Sequence, residues 1–209
     1  MRISLTDAGK RFNRDWVFRH VDLELAAGRR YALTGANGSG KSTLLQLIGG
    51  IIEPSEGEVR FGTDDNPTGT EDFHRHLSFC APYLELVEEM TGEEFLDFHR
   101  GFKPFREGLT AKEGLERTDL SHASDKQIRY YSSGMRQRLK LAQSVLSDTS
   151  VLLLDEPCTN LDEKGVRLYR ELIETHAGGR IVVIASNDTR EYADCDEVLS
   201  MESWKPLRK

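Results

Sequence analysis

The chain has 209 residues, 38% of them hydrophobic and 30% charged, with 35 acidic side chains against 28 Lys and Arg for a formal net charge of −7. That length holds one full α/β core with a modest insertion and excludes two large domains, while the mildly acidic surface argues against direct binding of DNA or RNA. Apolar runs stop at four to five residues, far short of the roughly 20 that span a bilayer, and Met1-Arg2-Ile3-Ser4 lacks a signal-peptide core, so a cytoplasmic protein is expected.

From the N-terminus, Arg2 to Thr6 and Val21 to Leu25 alternate apolar and polar residues and predict two strands of a small β-layer. Between them, Lys10 to Trp16 places two rings, Phe12 and Trp16, shortly before the next motif. Either ring could stack on a purine or serve as a hydrophobic anchor. A strand-like run, Tyr31 to Thr34, then leads into Gly35-Ala36-Asn37-Gly38-Ser39-Gly40-Lys41-Ser42-Thr43, and a helical stretch, Leu44 to Ile52, follows. This satisfies G-x-x-x-x-G-K-[ST] in the strand–loop–helix context that a phosphate-binding loop requires. The glycines let successive N–H groups turn inward, and the helix presents its positive end to the same anion. Lys41 reaches the β- and γ-phosphates, Ser42 offers a hydroxyl to Mg²⁺, and Thr43 and the loop amides take the remaining oxygens.

Beyond the loop, Glu58 to Phe61 and His76 to Cys80 predict strands and Thr63 to Thr70 a polar loop. His74 and His76 form an i, i+2 pair with no third ligand nearby, and solvated or packed histidine is the better reading than a metal site. Thr91-Gly92-Glu93-Glu94 fits a capping box opening a helix. The pattern stays helical to about Tyr131, with breaks at Gly101, Pro104 and Gly108. Ser132-Ser133-Gly134 then opens another helix, whose free N–H groups and hydroxyls make a second anion site or an ordinary N-cap. Val151 to Glu156 is an apolar run ending in two carboxylates, suited to a strand buried on both faces of a parallel sheet. Ligands collect at that end of such sheets: Asp155 can hold Mg²⁺ beside Ser42, and Glu156 can orient or deprotonate a water attacking the γ-phosphate. The cysteines, Cys80, Cys158 and Cys195, are odd in number and without a C-x-x-C pair, which predicts reduced thiols and no zinc site.

In this order the pieces closely resemble the nucleotide-binding subunits of ATP-binding cassette (ABC) transporters, over nearly the whole chain. Gly35 to Thr43 is similar to that family's Walker A, Tyr131-Ser132-Ser133-Gly134-Met135 to its signature sequence, Val151 to Glu156 to Walker B, and Thr159-Asn160-Leu161-Asp162 to its D-loop. The resemblance implies one ATP-binding domain over 1–209: a P-loop core with a mostly parallel sheet and flanking helices, an N-terminal antiparallel β-layer, and an α-helical subdomain inserted at about 83–145. It favours Phe12 over Trp16 as the adenine platform. It implies ATP and Mg²⁺ as cofactors and a head-to-tail pair, a homodimer or a pairing with a similar cassette, in which Tyr131 to Met135 act in trans. It further implies a membrane-spanning partner that holds the protein on the inner face of the cell membrane. The Ser-Gly-Met form, followed by Arg-Gln-Arg-Leu, is more similar to export-type cassettes. Two positions depart from the pattern: Pro82 stands where the Q-loop glutamine is expected, and Asn187, after Ile181 to Ser186, where the switch histidine is expected. Slow or differently arranged hydrolysis follows, and a soluble ATP-gated interaction protein is the alternative; a P-loop kinase would have no use for the signature.

Overall fold

The computed structural model describes residues 1–63 and 66–206. In chain order the strands are β1 (Arg2–Phe12), β2 (Asp15–Ala26), β3 (Arg30–Thr34), β4 (Glu56–Thr63), β5 (Asn66–Thr68), β6 (Leu77–Cys80), β7 (Val151–Asp155), β8 (Ile181–Ala185) and β9 (Glu197–Ser200). The helices are α1 (Lys41–Ile48), α2 (Thr70–Phe73), α3 (Gly92–Arg100), α4 (Ala111–Arg117), α5 (Ser133–Val145), α6 (Glu163–His176) and α7 (Thr189–Tyr192).

Two sheets result, an antiparallel one in the order β2-β1-β4-β5 and a parallel one in the order β6-β7-β8-β3-β9. Every residue of β7 and β8 is buried, as a strand covered on both faces must be, and its side chains divide with period two. Leu152, Leu154, Val182 and Ile184 pack with α5, α6 and the helices that follow β6. Val151, Leu153, Ile181 and Val183 face α1 and the antiparallel sheet, meeting Leu44, Leu47, Ile3 and Phe18. Burial of each such leucine contributes about 2 kcal/mol.

The N-terminal strands are longer than their alternation predicts, continuing to a tight turn at Asn13-Arg14. Register shifts between Leu5 and Arg11 interrupt the two-residue period, and such bulges hide a strand from a pattern search. Asp7 sits at one of them with φ 46°. Opposite it Gly57 is required, because a Cβ there would lie 2.2 Å from the Asp7 carbonyl oxygen. The polar loop expected over Thr63 to Thr70 is corrected: Asn66–Thr68 pairs with β4, and Thr70 opens α2. Pro67 at the end of that sheet explains the misreading, since an edge strand tolerates a residue without an N–H. His74 and His76 lie in a 3₁₀ turn and not on the strand. The capping box is present in full: Thr91 Oγ1 accepts from the Glu94 N–H at 3.2 Å, and Glu94 accepts from the Thr91 N–H at 2.8 Å. All three cysteines are free thiols.

Candidate nucleotide site

The loop between β3 and α1 closes on itself through the Ser39 N–H donating to the Ala36 carbonyl at 3.0 Å. Gly40 caps α1 at φ 100°, and a Cβ there would meet Val17 of β2 at 2.4 Å, so only glycine turns the chain here. No side chain caps this helix, and its first turn carries no acidic residue, which leaves its N–H groups for an anion. Lys41 is buried, with Nζ donating to the Gly35 carbonyl at 2.8 Å. Ser39 Oγ is buried without a partner among the described residues, as expected of a donor that awaits a ligand oxygen.

β7 delivers Asp155 and Glu156 to the same edge. Asp155 is 3% exposed, and burial pushes its carboxyl above the usual range; the Ser42 hydroxyl and Lys41 oppose this, while the Glu156 charge adds to it. Glu156 is exposed, its backbone is left-handed at φ 43°, and its N–H donates to the Ala185 carbonyl at 2.9 Å. Such a conformation costs of order 1–3 kcal/mol and is held by its surroundings. Among the described residues no three His, Cys, Asp or Glu cluster as a metal site. Ser42 and Asp155 nevertheless fit Mg²⁺, a hard cation that binds through one or two protein oxygens plus phosphate and water.

Asn187, just past β8, reaches the loop with both ends of its amide: Oδ1 accepts the Gly35 N–H at 3.3 Å, and Nδ2 donates to Asn37 Oδ1 at 3.1 Å. Phe12 projects from the β1–β2 turn, 53% exposed. Trp16 is covered by the Arg11 and Arg19 guanidiniums, 5.3 and 4.4 Å from its ring centre. In the serine turn, Ser132 caps α5 by accepting the Met135 N–H at 3.2 Å; Ser132 and Ser133 are exposed. Tyr131 is buried with its hydroxyl donating to the Ala123 carbonyl at 2.8 Å, and Met135 packs on the core. Gly134 lies against the Asn160 carbonyl. Asp162 caps α6, accepting the Gly165 N–H at 2.7 Å, a bond that holds its carboxyl below the usual range.

Two residues at this edge carry no motif. Tyr83, next to Pro82, reaches α1, its Oη accepting from Gln46 Nε2 at 3.0 Å; Gln46 lies one turn beyond Ser42, so the chain leaving β6 contacts the first turns of α1 through a phenol. Glu191 on α7 is buried, and nothing in Thr-Arg-Glu-Tyr distinguishes it from a solvated helix glutamate. α5 is tied to both neighbouring strand ends: Gln137 Nε2 donates to the Pro157 carbonyl at 2.7 Å and Lys140 Nζ to the Pro82 carbonyl at 2.7 Å.

A parallel sheet whose phosphate-type loop and paired carboxylates stand at the same end, one strand apart, defines a P-loop nucleotide-binding protein. A family model described as ABC transporter matches residues 18–159. The chain belongs to that family, as an ATP-binding ATPase subunit. It is similar to the cytochrome c biogenesis ATP-binding export protein CcmA of Rhizobium etli, 34% identical over 195 residues that cover 90% of this chain and 88% of that protein. It is likewise similar to the lipoprotein-releasing system ATP-binding protein LolD of Coxiella burnetii, 32% identical, covering 89% and 84%. Among solved structures, an ABC transporter ATP-binding protein of Pyrococcus furiosus shares the fold at TM-score 0.83 and 19% identity, over 99% of this chain and 100% of that one. A cassette solved as a dimer in a post-hydrolysis state with ADP and Pi does so at TM-score 0.80 and 22% identity, over 95% and 93%. Among the described residues no helix is long and apolar enough to cross a membrane.

Proposed function

We propose that this subunit binds Mg-ATP, pairs head to tail with a second copy or a similar cassette, and passes the ATP-driven closure to a membrane-spanning partner in the direction of export. The observation that carries this reading is the meeting of Lys41, Ser42, Asp155 and Glu156 at the C-terminal end of the parallel sheet, where the other three all act on the Asp155 carboxyl. The loop amides and Lys41 bind the phosphates, and Ser42 and Asp155 hold Mg²⁺, which neutralises phosphate charge. Glu156 orients the attacking water and Asn187 donates toward the γ-phosphate. Phe12 stacks on adenine. The exposed Ser132 and Ser133, with Gly134, complete the partner's site, and Asp162 lies at the same junction. The block from 83 to 145 acts as a helical subdomain. The export direction rests on the names of the relatives, and the partner would hold the subunit at the inner face of the membrane.

The test compares two variants. Lys41→Ala is expected to lose ATP binding in titrations. Glu156→Gln is expected to bind ATP, fail to turn it over, and run as a dimer with Mg-ATP in size-exclusion chromatography across a concentration series. A Glu156→Gln protein that remains monomeric at the highest concentration counts against the sandwich.

A further inference from the structure

The turn that carries Glu156 and the segment that carries Asn187 leave neighbouring strands, and one buried side chain of the second reaches the first. Glu191 is 7% exposed, and its Oε1 accepts the Cys158 N–H at 2.8 Å. Its Oε2 is buried without a partner among the described residues. Cys158 is two residues past Glu156, in a turn closed by the Thr159 N–H donating to the Glu156 carbonyl at 3.1 Å. Glu191 is itself anchored, because the Tyr169 hydroxyl of α6 donates to its carbonyl at 2.9 Å. With Glu156, Ser186, Asn187 and Asp188 it lines a cleft of about 300 Å³ that reaches Asn37 of the phosphate loop.

A buried carboxyl is costly unless it is hydrogen-bonded or neutralised, and only one oxygen of this one has a hydrogen-bond partner among the described residues. Burial pushes this one above the usual range and the Asp188 charge adds to it, while the Ser186 hydroxyl and the Cys158 N–H oppose the shift. The other groups around it are the Cys158 thiol, raised by its own burial and by Glu191, the buried Tyr169, and Arg190, whose guanidinium is bound to Asp188. None of them competes for the Cys158 N–H.

We infer that Glu191 is a positioning residue: its carboxyl clamps the Glu156 turn to the segment behind Asn187, holding the water-orienting carboxylate and the phosphate-facing amide in one register. This rests on the reading of Glu156 as the hydrolytic carboxylate. The clamp explains how an exposed Glu156 with a strained backbone keeps one orientation.

Three substitutions test it. Glu191→Gln keeps the acceptor and the volume, and kcat should stay within about twofold of the parent. Glu191→Met keeps the volume without the acceptor; kcat should fall roughly tenfold or more with ATP Kd unchanged, the loss of one buried hydrogen bond. Amide exchange over 156–160 should quicken in Glu191→Met and not in Glu191→Gln. A parental kcat in Glu191→Met overturns the inference, as does an equal loss of ATP affinity. Should Glu191→Met not fold, Glu191→Asp, which withdraws the acceptor from Cys158, takes its place with the same criteria. The underlying reading is separated by Glu156→Gln: parental turnover there sinks the assignment of Glu156, whatever Glu191→Met does.

Discussion

Asn187 ends β8 where the resemblance leads one to expect a histidine, and the two hydrogen bonds of its amide define what it can do instead. It accepts from Gly35 and donates to Asn37, so it fixes the phosphate loop relative to the strand end, and an amide takes up no proton near neutral pH. Its role is therefore positional. Asn187→Ala should slow hydrolysis by roughly tenfold or more with ATP affinity little changed, as for one lost transition-state hydrogen bond. Steady-state assays on Asn187→Ala, Asn187→His and the parent decide it; a parental rate in Asn187→Ala removes Asn187 from the mechanism. Residues of this kind were legible in proportion to how local their geometry is. Gly35 to Thr43 is dictated by one backbone turn and reads from the sequence alone. Glu191 and Tyr83 act through partners 33 and 37 residues away in the chain, a relation no local spacing encodes.

Between β6 and α3, the apolar residues Tyr83, Leu84, Leu86 and Val87 stand in a segment otherwise rich in Glu, a pattern that suits either core or contact surface, and the fold divides them. Leu86 packs on the core, whereas Tyr83, Leu84 and Val87 are exposed. All four line a groove of about 930 Å³ closed on its other side by Arg136, Gln137 and Lys140 of α5, with Leu86 also seated against the core. A docked partner there would bear on the helix that presents Ser132 and Ser133. Leu84→Glu should weaken capture of the membrane partner while leaving ATP affinity and melting temperature unchanged. Leu86→Glu should instead destabilise the fold by roughly 1–2 kcal/mol, as when a half-buried apolar contact is replaced by a charge. If Leu84→Glu melts early and Leu86→Glu does not, the division is wrong. Elements with a strong period or cap, such as β7 and α3, were legible; β5 was not, because Asn, Pro and Gly around it carry the chemistry of a turn.

Over the whole molecule, burial lowers the pKa of two histidines, His99 and His176, and makes stability depend on pH; His99 has the larger shift. His99 on α3 meets α5 and the residues after it: Gln143 Nε2 lies 3.1 Å from its Nδ1, and its Nε2 lies 2.8 Å from Ser147 Oγ. Burial, with a contribution from Lys103, pushes its pKa down from 6.5 to about 4. Below pH 6.5 the unfolded chain takes up a proton that the folded one refuses, so stability is full above that value and drains as pH falls toward 4. Asp155 and Glu191, whose pKa values are raised, act in the opposite sense as their carboxyls protonate. Melting curves from pH 8 to pH 4 should show the parent losing stability across that window and His99→Gln losing less. Parallel curves for the two proteins would exclude His99 as the cause. The buried strand of the parallel sheet was legible from its apolar run and a small β-layer from its alternation, while the antiparallel arrangement of that layer came with the resemblance; the bulged course of β1 was not legible, since its register follows the facing strands.

The strand that leads into the phosphate loop lies between β8 and β9 in the parallel sheet, and the loop itself touches Met201. β3 is thus translated early and receives both of its neighbours late. During synthesis on the ribosome the Walker A strand lacks its first neighbour until residues 181–185 have emerged and its second until 197–200 have. Nucleotide capture is then an event of the finished core, and the emerging chain depends on its antiparallel sheet, whose β1, β2 and β4 lie close together in sequence, to keep the waiting strand from pairing elsewhere.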